Sequence, residues 1–273
     1  YSVPITFPGS DANDTLTDFP VYIELDENIN SFSYEQFSSP AGFDLRFVGP
    51  DAAEELKYEP VKWNPFGVSA YWVRIPELKI GTTITAKWGN PSAATQPAYC
   101  LDGSIWNRYH AVWHMEGDDP TVIRESSGSL HGNAINFNET PRVPGVIGKA
   151  LSFDGINDYV NLPLESHPPG DAKQLTVSFW SYGGASLPKS TSILESGSSL
   201  GRHLNIHHPW SNGRIYWDAG TGGIDRLEKN DFDYRGKWVH WTFQKESSTG
   251  AMFIYKNGEE WISGYGRTRP FGG

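Results

Sequence analysis

The chain has 273 residues and a formal net charge of −10. That charge disfavours nucleic acid and anionic membrane surfaces as partners, and no apolar run approaches the length that spans a bilayer. A lone cysteine, Cys100, excludes an intrachain disulfide framework and a thiolate metal site. The 29 glycines, 19 prolines and 11 tryptophans point instead to many short strands joined by turns, with rings to fill sandwich cores or line a binding face.

Residues 1–99 read as a first β-sandwich. Ser2 to Phe7 is an edge strand, because Pro4 lacks a ladder donor. Phe19 to Leu25, Phe43 to Phe47, Glu55 to Trp63, Ser69 to Ile75 and Thr82 to Trp88 follow with period-two alternation, and a short helix is expected near Ser33 to Ser38. Pro91 to Gly103 is rich in Ala, Pro, Ser and Gly, so residues 100–108 are expected to be a linker to a second domain over 109–273.

The second domain opens with Tyr109 to Met115 and a loop from Glu116 to Asn133. Its organising stretch is Ala150 to Leu162, in which Asp-Gly-Ile-Asn-Asp separates Leu151 and Phe153 from Tyr159, Val160 and Leu162. Alternation and a Gly155 able to take positive φ predict a β-hairpin with one face in the core. Leu175 to Trp180, Arg202 to His207, Arg214 to Asp218, Lys237 to Phe243 and Ala251 to Lys256 are further strands, and Asn257-Gly258 turns the last of these into Glu259 to Ile262. The fold class expected is all-β, two consecutive β-sandwiches.

Residues 109–262 resemble a concanavalin A-like, laminin-G-like jelly roll through AVWHMEG, ESSGSLHGNA, GKALSFDGINDYVNLP, LTVSFW, KWVHWTF and FIYKNGEEW, which stand in the order that family uses. Residues 1–99 resemble an uncharacterised β-rich domain of bacterial secreted and envelope proteins through LTDFPVYIEL, GFDLRFVGPD, AYWVRIPEL and WGNPSA. The resemblance implies an extracellular or cell-surface location, any signal peptide having been removed. Family members close with a further strand pair. Here the sequence reaches Phe271-Gly272-Gly273 without one, so an open sheet edge is expected, either because this is a fragment or because another protein chain covers it.

Alternation assigns faces to the second domain. Leu175, Val177 and Phe179, Leu204 and Ile206, Ile215 and Trp217, and Val239, Trp241 and Phe243 point inward. That leaves Trp180, His203, Asn205, His207, Arg214, Tyr216, Asp218 and His240 outward, together with Trp210 in the loop His207 to Gly213. Rings that stack on pyranose faces, beside amides, guanidinium and carboxylate for hydroxyls, compose a polysaccharide- or glycan-binding face.

Zinc is not expected. His203 and His207 lie four residues apart on a strand, about 13 Å, and His207 and His208 point to opposite faces. The resemblance does imply one structural calcium ion with ligands from the loop ESSGSLHG, where Glu125 stands in place of the usual Asp. No catalytic residue is expected: the E-x-D-x-E strand of the related laminarinase-type hydrolases is absent, and so are G-x-S-x-G, P-loop and H-E-x-x-H motifs. The expectation is therefore a non-catalytic carbohydrate-binding or adhesion module. The alternatives are a structural surface-assembly subunit and a glycoside-active enzyme with an unrecognised acid pair. The sequons at Asn13 and Asn138 carry no meaning in a bacterial protein.

Overall fold

The structure, a computed structural model, describes residues 1–9, 15–50, 54–93, 95–137, 141–199 and 201–272. Both sequon asparagines, Asn13 and Asn138, lie outside these. Among the described residues the chain is all-β apart from four single 3-10 turns, and no helix is long and apolar enough to cross a membrane. It divides into two compact units: Tyr1–His131 with Gly148–Ala150, and Gly132–Ile147 with Leu151–Gly273.

In the first unit, strands β1 (Ser2–Thr6), β7 (Thr83–Lys87), β3 (Arg46–Val48) and β4 (Glu55–Leu56) form one sheet in that order. Strands β2 (Leu16–Leu25), β6 (Ser69–Leu78) and β5 (Tyr58–Lys62) form a second. Inward residues of both, among them Val3, Phe47 and Ile84 against Ile23, Val73 and Ile75, make one core. The expected helix is a single turn, Tyr34–Gln36, held by a capping box between Ser33 and Gln36.

The residues expected to be a linker are packed. Cys100 sits in the first core, and Ile105 and Trp106 are buried. Trp106 and His114 lie on the outward-facing Trp72 of β6, at ring separations of 5.4 and 6.0 Å. Glu59 of β5 ties this cover down by accepting from Trp106 Nε1 at 2.9 Å, with His114 Nε2 at 3.1 Å from its other oxygen. The aromatic residues of 99–114 therefore roof the first sandwich, and the first unit extends past 109, where the sequence placed the second domain.

In the second unit, β13 (Gln174–Tyr182), β18 (Trp238–Glu246), β19 (Ala251–Lys256) and β20 (Glu259–Gly264) form one antiparallel sheet. A second consists of β14 (Leu194–Ser198), β15 (Gly201–His207), β16 (Arg214–Ala219) and β17 (Asp225–Asn230). Ile206, Ile215, Trp217 and Leu227 of one sheet meet Val239, Trp241, Phe243 and Ile254 of the other in a common core. Among the described residues, five further short strands lie between residues 122 and 161: β8 (Val122–Ile123), which belongs to the first unit, then β9 (Gly132–Ile135), β10 (Arg142–Pro144), β11 (Lys149–Leu151) and β12 (Tyr159–Asn161), with β12 pairing antiparallel with β9.

The predicted 150–162 hairpin is not a ladder. Its turn forms as expected, with Gly155 at φ 70 and Asp154 accepting the amides of Ile156 and Asn157. Its flanks do not pair, however. Tyr159–Asn161 pairs with β9 instead, and Phe153, half exposed, rests on Phe137 rather than in the core.

Candidate functional site

The outward face of the sheet β14-β15-β16-β17 carries an extended polar network. Antiparallel register sets Glu195, Asn205, Asp218 and Arg226 side by side in one row across all four strands. The neighbouring row places His207, Tyr216 and Glu228 together. Directly opposed residues share a face, so these two rows converge on one patch.

A β-bulge shapes the patch. Register shifts between Ser196 and Gly197: Ser196 opposes Leu204 and Gly197 opposes Arg202, so His203 is the extra residue. The bulge reverses the alternation of β15. His203 turns inward, buried beside His167 with Ser198 Oγ 3.2 Å from its Nε2. Arg202 takes its place on the outer face, reaching Glu195 at 3.4 Å, His207 Nε2 at 3.4 Å and Asp218 at 4.0 Å. His203 is thus not part of the site, and Arg202 is.

Asp218 is the anchor. It is fully buried, and Arg226 grips it bidentately, Nε to Oδ1 at 2.6 Å and Nη2 to Oδ2 at 2.7 Å. The same guanidinium lies 4.6 Å over the Tyr216 ring. Arg214 pairs with Glu228 at the edge of the patch. Asn205, also at 0% exposure, donates to Ser192 Oγ at 2.7 Å and Glu195 Oε2 at 2.9 Å, while its Oδ1 has no partner.

The loop joining β15 to β16 supplies the aromatic wall. Trp210 is fixed by its amide bond to the Arg214 carbonyl and by Gly213 at φ 79, which closes the turn onto the Trp210 carbonyl. Its ring lies 4.2 Å from that of His207. His207 Nδ1 faces the Thr191 carbonyl at 3.2 Å. A carbonyl can only accept, so Nδ1 carries the hydrogen and Nε2 accepts from Arg202. Burial lowers the basicity of His207, the Thr191 carbonyl opposes this, and Arg202 adds to it, so His207 stays neutral below its usual range. His207, Trp210, Tyr216 and Arg226 line a cleft of about 220 Å³. Glu195, Gly197, Ser198, Gly201, Arg202 and Ile224 line a larger, open one of about 540 Å³.

Sequence reading placed Asn205, His207, Trp210, Arg214, Tyr216 and Asp218 on this face, and all six are here. Most are not exposed, since the salt bridges cover them: Asn205, His207, Tyr216 and Asp218 are buried. Trp180 and His240 are not here. They pair with each other, rings 5.2 Å apart, on the outer face of the other sheet, across the core. Arg202, Glu195, Arg226 and Glu228 went unrecognised.

Glu125 lies in the first unit, and its surroundings do not fit calcium. Its Oε1 accepts from the Val112 amide at 2.8 Å, the Ser127 amide at 2.7 Å and the Ser127 hydroxyl at 2.5 Å. Burial pushes this carboxyl up, but the Ser127 hydroxyl and the amides of Val112, Ser127 and Gly128 outweigh it and hold the carboxyl below its ordinary value. Calcium needs six to eight oxygen ligands, whereas this loop presents N–H and O–H donors and leaves only Oε2 unpartnered. Among the described residues no cluster of three or more His, Cys, Asp or Glu side chains could hold a metal.

Residues 154–271 match the family model Laminin_G_3, described as the concanavalin A-like lectin/glucanases superfamily. The second unit therefore carries a concanavalin A-like domain, and both clefts lie within the matched residues. A search of curated proteins found no match to the chain.

Proposed function

We propose that the second unit is a non-catalytic carbohydrate-binding or adhesion module of a secreted or surface-attached protein, with the β14-β15-β16-β17 face as its site. The observation that carries this reading is the meeting, on one rigid sheet face, of the Trp210, His207 and Tyr216 rings with the Asp218–Arg226 and Glu195–Arg202 pairs. Rings offer stacking surfaces, and a carboxylate beside a guanidinium offers an acceptor and a donor for adjacent hydroxyls. The fold family alone would not support a function. Against catalysis, both carboxylates of the row are engaged by guanidinium donors, whereas glycoside cleavage needs one carboxyl that holds a proton for the leaving oxygen.

The test is a glycan-array screen of the full chain, paired with a reducing-end assay on every glycan bound. Retention without sugar release is the expected result. Release that vanishes in Asp218→Asn would make the site an enzyme's. A folded chain that retains no glycan would sink the binding reading.

A further inference from the structure

The two clefts share a wall. Arg202 lines the larger one, reaches His207 of the smaller at 3.4 Å, and approaches Asp218 at 4.0 Å, while Arg226 of the smaller cleft grips that same Asp218. Among the described residues the contacts of the Arg202 guanidinium with Glu195, His207 and Asp218 are long, at 3.4 Å or more, so these three acceptors orient its donors without saturating them. Arg226 differs, with both oxygens of Asp218 within 2.7 Å. Asn205 Oδ1 stands unpartnered in the same row, between Glu195 and Asp218. The charges paired across this sheet face cancel: Arg202, Arg214 and Arg226 stand against Glu195, Asp218 and Glu228, with neutral His207. The chain as a whole is at −10. A polyanion therefore gains no net attraction here and meets long-range repulsion, while a neutral polyol can use every paired donor and acceptor.

Resting on the binding reading above, we infer that this face takes an uncharged polysaccharide as a run of at least two consecutive sugars. One sugar lies against Trp210 in the smaller cleft and the next lies in the larger. Arg202 reads the hydroxyls at their junction, and no metal ion takes part. Trp210 supplies stacking for the first sugar. Arg202 supplies the gain from the second.

Affinity electrophoresis of the full chain through laminarin, xyloglucan, galactomannan, alginate, polygalacturonate and dextran sulfate, with and without chelator, tests the ligand class. A ladder of oligosaccharides, from monosaccharide to hexasaccharide, cut from the neutral polymer that retards best, then tests the two subsites by calorimetry. Retardation by a neutral polymer, unchanged by chelator, is expected. The disaccharide should bind about tenfold or more tighter than the monosaccharide, and that gain should disappear in Arg202→Ala and in Arg202→Lys, which keeps the charge but loses the planar fork. Trp210→Ala should weaken every length. Equal affinity for monosaccharide and longer chains, with binding still lost in Trp210→Ala, would overturn the two-subsite inference and leave the site intact. Preference for the uronate or sulfated chains would overturn the neutral class, and loss with chelator would overturn the metal-free claim. A chain with wild-type circular dichroism that no polymer retards would overturn the binding reading itself.

Discussion

His208 shows how far one residue can set the acid tolerance of the second unit. Its ring is buried 4.7 Å from that of Trp241, and its Nε2 has no partner. Burial lowers its basicity from 6.5 to about 4, against the pull of Asp231 and with that of Lys256. Above pH 6.5 the imidazole is neutral in both folded and unfolded chains and adds no pH dependence. Between 6.5 and about 4 the unfolded chain takes up a proton that the folded chain refuses, so stability falls, by about 3 kcal/mol in all. Below about 4 this contribution levels off. His208→Leu should therefore lose about 3 kcal/mol less stability than wild type between pH 7 and pH 4 in urea titrations. An equal loss in both proteins would show that His208 is not the sensor. Asp218 is the second residue whose removal has a defined outcome. Asp218→Asn keeps the shape but strips the charge from the fully buried partner of Arg226, whose own side chain is 43% exposed and can turn to water. We expect a stability loss of about 1–3 kcal/mol together with loss of glycan binding. Binding that survives at wild-type strength would remove Asp218 from the site.

At the scale of elements, the bulge in β15 decides which side chains the site owns. It depends on Gly197, where a Cβ would come within 2.7 Å of the Gly201 carbonyl oxygen. Gly197→Ala should therefore strain the β14–β15 pairing, cost about 1–3 kcal/mol and displace Arg202, so that the affinity gain between mono- and disaccharide shrinks while Trp210-dependent binding persists. A variant with wild-type chain-length dependence would separate the bulge from recognition. The bulge also marks where sequence reading stops being reliable. Alternation correctly turned Ile206, Ile215, Trp217, Trp241 and Phe243 inward, because each stands where its strand keeps period two and an unbroken ladder, Ile206 beyond the bulge. One extra residue shifts that parity, and nothing in Arg202-His203-Leu204 announces it. Strands β14 and β17 were missed for a different reason. LESGS and DRLEKN each place one apolar side chain against the core, Leu194 and Leu227, so they carry too little hydrophobic period to be seen, yet they deliver Glu195, Arg226 and Glu228 to the site. A cue was present in Asp225-Arg226-Leu227-Glu228, where charged residues flank a lone leucine at strand spacing.

At the scale of the molecule, the all-β class followed from turn residues, aromatic content and alternation. The extent of the first unit did not. Trp106 and His114 act through ring contacts with Trp72, which lies more than thirty positions earlier in the chain, and no local pattern reports such a partner. Alternation also could not say that β13 and β18 belong to one sheet and β15 and β16 to the other. Trp180 with His240, and Trp210 with Asp218, thus lie on separate outer faces of one sandwich. That separation supplies the most direct test of where glycan binds. The measurement is the dissociation constant of the best-retained neutral oligosaccharide for wild type, Trp210→Ala and Trp180→Ala, side by side. We expect Trp210→Ala to weaken binding by about tenfold or more, the effect of losing about 1.4 kcal/mol, and Trp180→Ala to match wild type. Binding that tolerates Trp210→Ala and is lost in Trp180→Ala would contradict the assignment and move the site to the opposite sheet.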